Sequence, residues 1–183
     1  MSVHVTLEFT PNPDTLKYVV SQPLLERGAV TYDTAEDAAE APLAQALLAI
    51  EGVASVMLAK DFVTITVADP KQMMDVNTHV PTCIKDHLEA GKPVITGDLP
   101  TDEHGEDDSE VARSIKEILD RQVRPAVAQD GGDIVFDRFE DGIVYLELKG
   151  SCAGCPSSTA TLKMGIEQHL REVIPEVQEV RAV

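Results

Sequence analysis

The residues best suited to chemistry are two cysteines that lie two positions apart. Cys152 and Cys155 belong to residues 150–158 (GSCAGCPSS), between a strand-like run and a helix-like run. Pro156 suits the first turn of that helix, because its missing N–H group would have no partner there. Unpaired N–H groups and the positive end of a helix dipole favour thiolate over thiol. We therefore predict a loop that presents two thiolates, the form that metal binding and redox exchange both require.

Three kinds of site use such a C-x-x-C pair. A thioredoxin-like dithiol usually follows the first strand of a βαβ unit and often has proline between its cysteines. Here the pair follows a predicted hairpin and the proline comes after the second cysteine, which disfavours dithiol exchange. A zinc site takes four ligands, and an iron–sulfur cluster normally takes four cysteine thiolates. Both metal sites therefore need more ligands than the pair supplies.

The missing ligands are not found nearby in the sequence. Cys83 falls in a different predicted domain, and His169 lies roughly four turns into the following helix, about 20 Å along its axis. A two-fold homodimer satisfies the count, because each subunit then supplies Cys152 and Cys155. Small residues around the pair let main-chain N–H groups approach bridging sulfides, which favours iron–sulfur over zinc. A thiol–disulfide oxidoreductase and a structural zinc-linked dimer stay open as alternatives.

The chain divides into two folded parts of α+β class, joined by an acidic stretch. Residues 1–97 read as a β-rich module with two helices, and residues 110–183 predict the order α-β-β-loop-α-β. Acidic residues dominate positions 98–109, where only Leu99 is large and apolar. Such a segment cannot bury a face, so we predict a linker there.

The sequence also predicts the orientation or the local structure of several individual residues. Strand alternation places Phe9 and Arg138 on the inward faces of their strands, and helical spacing places Val173 on the inward face of its helix. Pro81 is predicted to interrupt its helix or to mark its start. Asp141-Gly142 predicts a hairpin, Gly131-Gly132 a tight turn beneath the cysteine loop, and Cys83 a buried structural thiol.

Composition limits the classes of partner. A formal net charge of −17, from 32 acidic and 15 basic residues, disfavours nucleic acid as a partner. No long apolar run or basic amphipathic stretch predicts membrane binding. The first residues resemble neither a secretory signal nor an Arg- and Ser-rich presequence, and three cysteines argue against a disulfide scaffold. We expect a cytoplasmic bacterial protein, or a mitochondrial matrix protein only if the sequence is a processed form. No hydrolase-like set of residues stands out, so we do not expect an enzyme.

The motifs resemble a known family. Residues 130–133 (DGGD) and 150–163 (GSCAGCPSSTATLK) look like the C-terminal domain of NifU, found in the iron–sulfur scaffold and carrier family called Nfu. Residues 10–17 (TPNPDTLK) and 50–67 resemble the Nfu N-terminal domain. The resemblance implies a [4Fe-4S] cluster, sometimes [2Fe-2S], that bridges two protomers and passes to apo-proteins, after loading by upstream cluster-assembly proteins. It carries the ligand role to two positions, Cys152 and Cys155, and suggests that the N-terminal domain recognises partners or shapes the dimer.

The acidic stretch gives a first testable prediction. Limited proteolysis should cut within residues 98–109, because a segment with one large apolar residue has little packing to protect it, and should release a C-terminal fragment that still binds the cluster. Mass spectrometry of the fragments and their iron content would check this. Protection of that segment would instead indicate one fused domain.

Overall fold

The computed structural model describes residues 2–97, 109–153 and 156–183, apart from the side chains of 156–158. Two compact units, Met1–Pro100 and Thr101–Val183, divide the chain. Each combines a β-sheet with helices, so the predicted α+β class is confirmed. The predicted linker at 98–109 lies, except for Ser109, outside the described residues.

The N-terminal unit is a five-stranded antiparallel sheet of order β1-β2-β5-β4-β3 with two helices. Its elements are β1 (Val5–Phe9), β2 (Thr15–Val20), β3 (Ala29–Tyr32), α1 (Pro42–Leu48), β4 (Val53–Ala59), β5 (Phe62–Val67), a 3-10 turn (Pro70–Gln72) and α2 (Met73–Glu89). Alternate residues of the central strands pack with apolar residues of both helices. This core includes Leu16, Tyr18, Leu43, Leu47, Val63, Ile65, Val76, Val80 and Ile84.

Two positions in this unit differ from the sequence prediction. Phe9 ends the edge strand β1 and is 87% exposed, because the end of an edge strand has a neighbour on one side only. Helix α2 runs through Pro81 without a break. Val80 and Ile84, one on each side of the proline, are fully buried. Their packing offsets the loss of the backbone hydrogen bond that proline cannot form.

The C-terminal unit has the predicted order, and its three-stranded sheet is arranged β6-β7-β8. Its elements are α3 (Glu110–Ile118), a π-helical turn (Leu119–Val123), α4 (Arg124–Gln129), β6 (Gly132–Glu140), β7 (Ile143–Gly150), α5 (Pro156–Val173) and β8 (Glu179–Ala182). Strand β7 is antiparallel to β6 and parallel to β8. A parallel pair needs a crossover, and α5 supplies it. The loop that carries the cysteines is therefore the start of this crossover, at the carboxyl end of β7.

Local sequence signals explain where these elements begin and end. The Ser109 hydroxyl caps α3 by accepting a hydrogen bond from the Ala112 N–H at 3.1 Å. Pro125 falls in the first turn of α4, directly after the π-helical turn, at a position that tolerates the missing N–H group of proline. Asp141 and Gly142 have φ values of 51° and 81°, the signature of a tight hairpin turn between β6 and β7.

Two inward positions are predicted wrongly in this unit. The β6–β7 register shifts between Phe136 and Arg138, and this bulge turns Phe139 toward the core while Arg138 stays exposed. Val173 is 53% exposed and Ile174 is 5% exposed. Ile174 lies four positions after the buried Leu170, and its N–H group donates to the Leu170 carbonyl at 2.7 Å.

The burial of Ile174 rather than Val173 at the end of α5 can be tested by measuring the stability of two variants. Ile174→Ala should lower the free energy of unfolding by about 2–4 kcal/mol, because it removes buried apolar volume. Val173→Ala, the adjacent control, should change it by less than about 0.5 kcal/mol. Urea denaturation of the full chain would measure both. Equal effects would place Val173 in the core and contradict the structure.

Candidate metal centre

The cysteine loop is fixed to the start of β6 at its first residues. Gly150, at φ 63°, ends β7 and pairs with Gly132 across the sheet. The Ser151 N–H donates to the Gly131 carbonyl at 3.2 Å, and the Ser151 hydroxyl donates to the Asp130 carbonyl. Gly131 has φ 79°, as a tight turn beneath the loop requires. The residues before Cys152 are thus tied to the 130–132 turn.

Cys152 points into the unit. It is 6% exposed and belongs to the apolar core of the C-terminal unit. A Cβ atom at Gly132 would lie 2.3 Å from the Cys152 Sγ atom, closer than real atoms approach. Gly132 is not among the glycines with positive φ. Glycine at this position therefore makes room for the sulfur and is not required by the backbone conformation.

The surroundings of Cys152 favour the neutral thiol. Burial raises the pKa of the Cys152 thiol to about 11, a hydrogen bond with Ser151 acts in the opposite direction, and the charges of Asp130 and Asp133 raise it further. The expectation of a thiolate at the start of a helix is therefore wrong for Cys152 in this conformation. Desolvation is the largest cause of the raised pKa, because the sulfur faces the core.

The other candidate ligands are distributed as follows. Cys155 lies outside the described residues, so its pairing with Cys152 stays a prediction. Cys83 is partly buried against the core of the N-terminal unit, where burial and then Asp86 raise its thiol pKa while Lys92 lowers it. His169 shares a 2.7 Å hydrogen bond between its Nε2 atom and Gln122 Oε1. Within residues 2–97, 109–153 and 156–183, no group of three or more His, Cys, Asp or Glu side chains is placed to hold a metal ion.

A charged pair beside the site escaped the sequence analysis. The Arg124 guanidinium donates from Nε and Nη2 to the two oxygens of Asp133, at 2.9 and 2.7 Å. Their side chains are 18% and 7% exposed. Two parallel bonds of this kind fix an angle as well as a distance, so α4 is locked to β6 next to Gly132. An aspartate at the start of an apolar strand was the available signal, but its partner could not be read from spacing.

Comparisons with known proteins define the class of this chain. Residues 5–91 match the family model described as "Scaffold protein Nfu/NifU N terminal", and residues 115–181 match the "NifU-like domain". The solution NMR structure of the NifU-like protein from Saccharomyces cerevisiae aligns with 53% of this chain and 87% of that chain, at 21% identity and a TM-score of 0.47. Among the described helices, none is long and apolar enough to cross a membrane.

Relatives along the whole chain make the assignment specific. "NFU1 iron-sulfur cluster scaffold homolog, mitochondrial" of Homo sapiens is 44% identical over 95% of this chain and 69% of its own length. The protein of the same name from Drosophila persimilis is 39% identical over 100% of this chain and 66% of its own length. The chain thus spans about two thirds of the length of these relatives. It belongs to the Nfu family of NifU-like iron–sulfur scaffold proteins, which confirms the resemblance carried by the motifs.

The predicted location is wrong. We expected a bacterial cytoplasmic protein, whereas the human and Drosophila relatives are both named as mitochondrial. That expectation rested on the composition of the first residues and on the three cysteines, which do not fix a compartment.

The Arg124–Asp133 pair gives a stability prediction. Asp133→Asn should lower the free energy of unfolding by about 1–3 kcal/mol, because it removes the largely buried carboxylate charge that accepts two hydrogen bonds from Arg124. The exposed Asp120 carboxylate, 3.0 Å from Arg124 Nη1, then stays as an ion-pair partner of the guanidinium. Arg121→Ala is the control, since it removes an exposed pair with Glu117 at 2.9 Å and should cost less than about 0.5 kcal/mol. Urea denaturation would compare the two. Equal losses would mean that the Arg124–Asp133 contact is no stronger than a surface pair.

Proposed function

We propose that this chain is an iron–sulfur cluster carrier in which two copies share one cluster through Cys152 and Cys155. The observation that carries the proposal is a single C-x-x-C pair, at the start of a crossover, in a chain of the Nfu family. The cluster is cargo that arrives and leaves intact. The chain therefore performs ligand exchange and is not an enzyme.

Ligand counting supports a shared cluster. A cluster normally takes four cysteine thiolates, and the loop supplies two. A two-fold arrangement brings the same loop from a second chain and completes the set. The cluster type follows the family resemblance: [4Fe-4S] is proposed, and [2Fe-2S] is the other form that two C-x-x-C pairs could hold.

Transfer to an apo-protein is a sequence of ligand exchanges. A thiol of the recipient loses its proton, its sulfur binds iron, and one cysteine of the carrier leaves the iron and takes up a proton. No electron moves, so the step needs no oxidant or reductant. The inward conformation of Cys152 supports this scheme, since it offers a stable position for the released sulfur away from the cluster.

The N-terminal unit is proposed to recognise partners or to shape the dimer. Recipient apo-proteins and upstream cluster-assembly proteins are the partners that a carrier needs. We also propose a mitochondrial location for this chain, because its relatives in Homo sapiens and Drosophila persimilis carry that term in their names.

Reconstitution tests the function directly. Anaerobic incubation of the full chain with iron and sulfide should give a brown dimer with half a cluster per chain, measured by absorbance, iron analysis and analytical ultracentrifugation. Cys152→Ser and Cys155→Ser should each abolish the colour and the cluster-dependent dimer, because each removes half of the thiolates of its subunit. Cys83→Ser, which changes a thiol in the other unit, should behave as the unchanged chain.

Two outcomes would contradict the proposal. A colourless protein that retains zinc through the same procedure would indicate a structural zinc-linked dimer. Metal-free reduction of insulin disulfides that depends on Cys152 would indicate a thiol–disulfide oxidoreductase.

A further inference from the structure

We propose that Gly132 is a positioning residue that holds the Cys152 sulfur in an inward seat, and that the sulfur must leave this seat to bind a cluster. This rests on the proposed function, because it concerns how one ligand of that site becomes available. The Gly132 side of the seat is a Cα atom without a side chain, and the opposite side is the apolar core of the unit.

The inward and the ligating positions of the sulfur exclude each other. A cluster shared by two chains lies between them, so each ligand must reach the surface of its own unit. Cys152 is 6% exposed in the inward position, which leaves no room for an iron atom and a second chain beside the sulfur. Cluster binding therefore requires an outward conformation of this side chain.

Rotation of the side chain can produce the outward conformation while the loop stays in place. The backbone on both sides of the sulfur is held: the Ser151 N–H donates to the Gly131 carbonyl at 3.2 Å, and the Thr159 hydroxyl donates to the Cys152 carbonyl at 3.1 Å. The moving group is then a single sulfur atom on one rotatable bond. The backbone of Ser151 and Cys152 can keep both of these hydrogen bonds.

Gly132 sets the balance between the two conformations by steric exclusion. An alanine Cβ there would meet the Cys152 sulfur at 2.3 Å and the Lys149 carbonyl oxygen at 3.1 Å. The carbonyl contact, and a further one with the Cys152 Cβ atom at 3.2 Å, need shifts of only a few tenths of an ångström, whereas the 2.3 Å approach requires the sulfur itself to move. The sulfur can rotate away. Gly132→Ala should therefore expel the Cys152 side chain from its seat.

The first experiment measures access to the Cys152 thiol without any cluster. The full-length, reduced, metal-free chain is treated with iodoacetamide, and modification at Cys152 is followed over time by fragment-ion mass spectrometry. Gly132→Ala should raise the rate at Cys152 by at least about tenfold, which corresponds to ~1.4 kcal/mol in the cost of opening. Cys83, in the other unit, serves as the internal reference and should keep its rate.

A matched control separates the seat from a general effect of the substitution. Gly165→Ala makes the same chemical change in α5, where an added Cβ would meet nothing within 4 Å, and should leave the Cys152 rate unchanged. An unchanged Cys152 rate in Gly132→Ala, or equal acceleration at Cys83, would overturn the proposal. Iron loading of the unsubstituted chain is measured in a separate experiment. Iron loading tests the carrier function and the alkylation rate tests the inward position of Cys152, so the two proposals can fail independently.

A double-mutant cycle covers the case in which Gly132→Ala folds poorly. If the clash is with the sulfur, Cys152→Ala in the Gly132→Ala background should recover most of the lost melting temperature, because it deletes that atom. If the clash is with the Lys149 carbonyl, the double variant should melt as low as Gly132→Ala. The first result supports the seat and the second overturns it.

Discussion

At the end of the β6–β7 ladder, Gly132 pairs with Gly150, and the loop that carries Cys152 starts from that pair. Everything proposed for the site depends on this contact, because it places the sulfur of a residue after β7 over the first residue of β6. The Arg124–Asp133 pair supports the same place from the side of α4. A shift of the ladder by one residue toward Asp133 would place a Cβ atom beneath the sulfur, where Gly132 has none.

A carrier must bind its cargo and also let it go, and the site is built from parts that suit both. Two thiolates from one chain make an incomplete ligand set, so binding requires a second copy and release can proceed by separation or by exchange. The inward seat adds a stable position for one of the sulfurs. Protein sites that keep a metal permanently instead supply the complete ligand set from one rigid unit.

The elements follow closely from the sequence because their causes are local. Capping by Ser109, the positive φ values at Asp141-Gly142 and the proline after the π-helical turn each depend on neighbours a few residues away. The sequence predicted less well which side chains of an element face the core. A bulge between Phe136 and Arg138 reverses the alternation, and the packing of Ile174 displaces Val173. Both depend on what the other strand or helix presents, which periodicity does not contain.

For the site itself, the sequence determined the types of the ligands, their spacing, and their shortage within one chain. Those features depend on composition and on distance along the chain. Only the tertiary structure decided that Cys152 faces inward, that Gly132 makes room for it, and that Arg124 holds Asp133 beside it. These contacts join residues far apart along the chain, and the ladder register and the packing of α4 bring them together. Burial then favours the neutral thiol where the sequence predicted a thiolate, because desolvation in a packed core raises the pKa of Cys152.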